Sequence, residues 1–146
     1  MIREHYAAVK ALIPSTVNLH MWQVSAGTNP DGTPKPITYP YAVLWGDLGD
    51  ESSGGVDGDS LSDSLDVLSL RFRVTYAGEY GDSVLIACRN VRAALSGKSP
   101  VVAGWKTGRL KQATLMDAQA DLSITLKNGS HPVYAVDEFS LVSHKL

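Results

Sequence analysis

Apolar residues change their spacing several times along this chain, and each change marks an element. Ile2, Tyr6, Val9, Leu12 and Ile13 recur at helical spacing. Pro14 lacks the backbone donor a helix needs, so the pattern predicts a short amphipathic helix over residues 2–13. The stretch "TVNLHMWQV", residues 16–24, alternates Val17, Leu19 and Met21 against Asn18, His20 and Trp22, which reads as a first strand. Residues 26–38, "AGTNPDGTPKPIT", hold three prolines and two glycines and resist both helix and sheet, so a long loop is expected. "YPYAVLW" (39–45) gives a second strand. In "VLSLRFRVTY" (67–76) a third alternates cleanly, Leu70, Phe72, Val74 and Tyr76 against Ser69, Arg71, Arg73 and Thr75. One face of that strand should be buried and the other wet.

The strongest helical pattern covers residues 83–96, with Val84, Cys88, Val91 and Leu95 on one face, Asp82 as candidate N-cap and Gly97 as candidate C-cap. Beyond Val101 the text returns to β-formers, first in "GWKTGRLKQAT" (104–114). "ADLSITL" (120–126) and "VYAVDEFSLV" (133–142), joined by "KNGSHP", read as an antiparallel hairpin. The predicted fold is α+β: a mainly antiparallel sheet with an N-terminal helix and a second helix packed on one face. A length of 146 residues fits a single domain, 1–146, with long loops at about 26–38 and 47–66.

Charge changes this picture at one place. Residues 46–66, "GDLGDESSGGVDGDSLSDSLD", carry Asp47, Asp50, Glu51, Asp57, Asp59, Asp63 and Asp66 and no Lys or Arg. The chain as a whole is net −2; removing these seven from its 15 acids leaves eight against 13 Lys and Arg, a mildly basic remainder. An acidic segment rich in Gly and Ser cannot bury enough apolar area to offset ordering, so residues 49–66 are expected to form a mobile, solvated excursion between two strands. A calcium loop does not fit: an EF-hand register from Asp57 places Leu61 at position 5, Ser62 where glycine is required and Leu68 at the bidentate acid. The basic residues are scattered, without the clustered patch that a groove-reading nucleic-acid binder needs.

The remaining chemistry is sparse. His5, His20, His131 and His144 show no metal-binding spacing and read as surface or edge residues, and there is no GxSxG, Walker loop or GxGxxG. Cys88 alone excludes an intrachain disulfide and reads as a small buried hydrophobe. Asp137 and Glu138 point to opposite faces of a strand and make a poor acid–base pair. The pattern predicts a non-enzyme with no catalytic residue, cofactor or metal. No apolar run approaches the ~20 residues of a membrane span, and the N-terminus has no secretory h-region, so no membrane association is expected.

Three stretches carry a resemblance: Pro40-Tyr41-Ala42-Val43-Leu44, Val74-Thr75-Tyr76-Ala77-Gly78 and Val91-Arg92-Ala93-Ala94-Leu95. Together with the N-terminal helix and the length, they resemble the tail terminator or tail-completion (minor tail) proteins of long-tailed bacteriophages, best over residues 39–97. The resemblance implies a structural virion protein that assembles in the host cytoplasm into a homo-oligomeric ring, commonly a hexamer. Such a ring caps the tail tube protein, stops tube polymerisation and presents a docking face to a head-completion or connector protein, while DNA passes through without specific binding. The seven acids then become a candidate assembly or lumen loop. Another head–tail junction component, such as a stopper or tube subunit, and a monomeric binding module are the alternatives.

Overall fold

The computed structural model describes residues 2–52 and 66–146. Its elements are α1 (Ile2–Leu12), β1 (Leu19–Met21), β2 (Tyr41–Trp45), β3 (Asp50–Ser52), β4 (Val67–Gly78), α2 (Gly81–Leu95), β5 (Trp105–Thr107), β6 (Lys111–Ala120) and β7 (Val133–Lys145). The α+β architecture is as the patterning predicts: two helices and a seven-stranded sheet in which only the β1–β2 pairing is parallel.

Two long strands, β4 and β7, form the spine and pair antiparallel from Val67↔His144 to Gly78↔Val133. On the outer side of β4 lie β2 and then β1 toward one end and β3 toward the other; on the outer side of β7 lie β6 and β5. One face of the spine is apolar. Leu68, Leu70, Phe72, Val74 and Tyr76 of β4 and Phe139 and Leu141 of β7 join Ala42 and Leu44 of β2 in a single cluster. Both helices supply the cover, Tyr6 and Val9 from α1 and Val84, Ala87, Val91 and Leu95 from α2. Phe72 stacks on Phe139 at 5.5 Å between ring centroids, so the register of the two central strands is held by an aromatic pair at the middle of the core. The three stretches that carry the tail-protein resemblance meet here: Ala42 pairs with Tyr76 and Leu44 with Val74, while Val91 and Leu95 are fully buried.

Several boundaries differ from the sequence reading, each for a physical reason. β1 is three residues long because Trp22 takes a left-handed backbone, φ 69°, and ends the strand. β2 begins at Tyr41, since Pro40 has no N–H to give a ladder. α2 starts at Gly81 behind Tyr80, which makes no side-chain cap; Asp82 lies inside the first turn, where a negative charge favours the helix dipole rather than capping it. Gly97, just past the last turn at φ +71°, fills its expected terminating place. The last hairpin is also shifted: β6 is residues 111–120, and the "ADLSITL" stretch folds as a turn in which Asp121 Oδ1 accepts from the Ser123 N–H at 3.0 Å. β6 is exposed on both faces except at Gln112, so it shows no apolar alternation to read; its pairing with β7 creates it.

The acidic excursion is shorter than expected at its N-terminal side. Asp50, Glu51 and Ser52 pair with Ser69, Leu68 and Val67, forming a strand where the sequence reading placed a mobile loop. The ladder of β4 supplies the partners that the charge pattern could not reveal. The rest of that expectation falls on residues 53–65, outside the described residues.

Phe72 and Val91 face one another's elements in the core, 1% and 0% exposed. Phe72→Asp or Val91→Asp should abolish the cooperative thermal transition by circular dichroism, because an unpaired buried charge costs several kcal/mol, of the order of a whole domain's stability. An unchanged melting temperature in either variant would contradict the packing.

Candidate assembly surfaces

The polar groups of the core face are committed to holding elements together. Asp137, 1% exposed on the inward face of β7, receives a two-pronged contact from Arg92 of α2, Nε to Oδ2 at 2.7 Å and Nη2 to Oδ1 at 2.6 Å. Tyr76 Oη of β4 donates to Oδ2 at 2.8 Å and Gln112 Nε2 of β6 to Oδ1 at 2.9 Å. One carboxylate therefore ties four elements. Burial pushes its pKa up, but the hydrogen bonds from Arg92, Tyr76 and Gln112 outweigh this and hold it below the usual carboxylate range. Burial, and after it the same charge, push the Cys88 thiol up to about 11, which makes it a poor nucleophile at neutral pH.

At the other end of the core, His5 is fully buried rather than a surface residue as its isolated position suggested. Its Nε2 lies 2.9 Å from Ser143 Oγ of β7, and its ring meets Trp105 edge-on at 5.1 Å. No sequence spacing pointed to this pair, which lies 138 residues apart along the chain.

The seven acids take different places. Asp47 is a structural corner: its N–H donates to Tyr6 Oη at 2.8 Å, its carbonyl accepts from that hydroxyl at 3.0 Å, and its Oδ1 accepts from the Gly49 N–H at 3.0 Å. Neighbouring Gly46 has no room for a side chain, since a Cβ there would lie 2.5 Å from the Tyr6 ring. Asp50 and Glu51 stand exposed on β3, and Asp66 leads into β4 with its N–H bonded to the Ser52 carbonyl. Asp57, Asp59 and Asp63 lie outside the described residues. Among the described residues no group of His, Cys, Asp and Glu is arranged to hold a metal ion.

What the molecule offers outward is surface. The sheet face away from the helices presents Arg71 and Arg73 of β4, with Trp45 Nε1 donating to Thr75 Oγ1 at 3.1 Å. Together with Gly46, Asp47 and Glu138 these arginines line a polar hollow of about 360 Å³. β6 and the turn that follows it carry exposed apolar residues, among them Met116, Leu122 and Ile124. Large apolar side chains elsewhere are also open to water, most of all Leu48 at 83% and Val101 at 88%. Among the described residues no helix is long and apolar enough to cross a membrane.

No protein-family model matches the chain, and no curated protein matches it. Among solved structures, a chain from one described as "Virion of native gene transfer agent (GTA) particle" has a similar fold, with a TM-score of 0.53 and 14% sequence identity. The likeness covers 97% of this chain and 90% of that one. At this identity it is a likeness of fold, spanning nearly the whole chain.

Asp137→Asn should test the clamp. The Arg92 side chain is 38% exposed, so water screens part of the pair and the expected cost at pH 7 is at the low end for a broken buried ion pair, about 3 kcal/mol. A carboxyl whose folded pKa lies below its unfolded value stabilises the fold above about pH 4, and that contribution fades as pH falls through the folded value. Urea unfolding should therefore show wild type and variant converging below about pH 4; a gap independent of pH would assign the loss to packing alone.

Proposed function

We propose that this protein is a structural component of a phage-like virion and that it caps the end of a tail tube as a ring of identical subunits. The observation that carries the reading is the fold likeness to a chain of a virion particle over 97% of this sequence. The tail-terminator resemblance of residues 39–97 narrows it to the tail end, and among the described residues of that range β2, β4 and α2 pack together. In this reading the role is structural rather than catalytic. The polar cluster around Asp137 is consumed in joining elements, while loops, sheet margins and exposed apolar side chains are left for neighbours.

The ring sits in the virion tail after assembly in the host cytoplasm. One of its faces stops addition of tube subunits and the other receives a head-completion or connector protein. A heterologous contact closes into such a ring when its rotation permits. The acidic segment from Asp47 to Asp66, apart from the Asp47 corner, faces the lumen or a docking partner, where like charge keeps passing DNA from binding.

Particles produced without this protein should show overlong tails in negative-stain electron micrographs. Tails of normal length that fail only to join heads would mark a stopper instead. Normal infectious particles in its absence would rule out both.

A further inference from the structure

The two margins of the sheet carry opposite charge. On the β4 side, the segment from Gly46 through β3 holds Asp47, Asp50 and Glu51 and no basic residue. On the β7 side, residues 97–116, which contain β5 and the start of β6, hold Lys98, Lys106, Arg109 and Lys111 and no acid. Asp50, Glu51 and all four of these basic residues are exposed, and among the described residues no ion pair engages any of them.

The registers place Glu51 and Lys106 on adjacent rungs at opposite margins. Ser52 pairs with Val67, Val67 with His144 and His144 with Lys106; on the next rung Glu51 pairs with Leu68, Leu68 with Ser143 and Ser143 with Thr107. Two strands, β4 and β7, thus separate an acidic margin on β3 from a basic one on β5, three strand spacings or about 14 Å apart. Each margin also carries one of the most exposed aliphatic side chains, Leu48 beside Asp47 and Val101 beside the basic residues. The outer edge of β3 pairs with nothing among the described residues. Free strand edges accept further chain.

We infer that the acidic margin, Leu48, Asp50 and Glu51, docks on the basic margin, Val101, Lys106, Arg109 and Lys111, of a second copy of this chain. A two-fold contact through either margin would set like charge against like, so the complementary arrangement is head to tail. Each copy then offers one used and one unused margin until the array closes. The inference rests on the ring reading above and supplies its subunit contact; in it, Asp50 and Glu51 face the neighbouring subunit rather than the lumen.

Charge reversal in two complementary variants tests it. Asp50→Lys/Glu51→Lys makes both margins basic, and Lys106→Glu/Arg109→Glu makes both acidic. Each alone should stay monomeric by analytical ultracentrifugation at concentrations where the wild type forms rings, with half-assembly moved up by at least about tenfold. An equimolar mixture should restore rings, because alternating copies again meet opposite charge. Circular dichroism verifies folding. Should the β3 variant unfold, Asp50→Asn/Glu51→Gln replaces it: it should lower assembly and make the remainder less sensitive to salt. Rings from both variants alone, or a folded mixture that stays monomeric, would overturn this contact while leaving the ring reading intact. A wild type that stays monomeric even on purified tail tubes would overturn both.

Discussion

Four elements of this fold are joined through one carboxylate. Asp137 sits where β4, β6, β7 and α2 come together, and its two oxygens accept from Arg92, Tyr76 and Gln112. A buried charge without partners would be prohibitive, so the clamp specifies how these elements meet: moving α2 or β6 would strand the carboxylate. The inward face of β7 repeats the logic at its other end. It reads Asp137, Phe139, Leu141 and Ser143, two apolar residues between two polar ones, and Ser143 meets His5 of α1 as Asp137 meets Arg92 of α2. A single strand thereby sets the positions of both helices on the sheet.

This economy bears on function. Among the described residues, the buried polar side chains His5, Asp137 and Ser143 are spent on joining elements. Short strands lie at the sheet's rim: β3 and β5 pair with the long spine, and β1 pairs with β2. A chain organised in this way presents contact surfaces at a distance from a rigid centre, which suits a subunit of a larger assembly.

Periodicity alone determined the centre of this molecule. The alternation of Leu70, Phe72, Val74 and Tyr76 and the helical spacing of Val84, Val91 and Leu95 reflect one-sided burial, and one-sided burial is what a local pattern records. The α+β class, the two helices and the strands β2, β4 and β7 were therefore legible, as was the separation of acidic segment from basic remainder. Tertiary structure decided the rest. β6 has both faces in water and β3 is three exposed polar residues, so neither leaves a hydrophobic period, and each exists because a neighbouring strand offers hydrogen bonds. His5 finds Ser143 and Arg92 finds Asp137 only when segments 138 and 45 residues apart are folded together. Local spacing encodes which face of an element is buried; which polar groups meet, and which charges end on opposite margins of one sheet, depends on contacts that exist only once the chain has closed on itself.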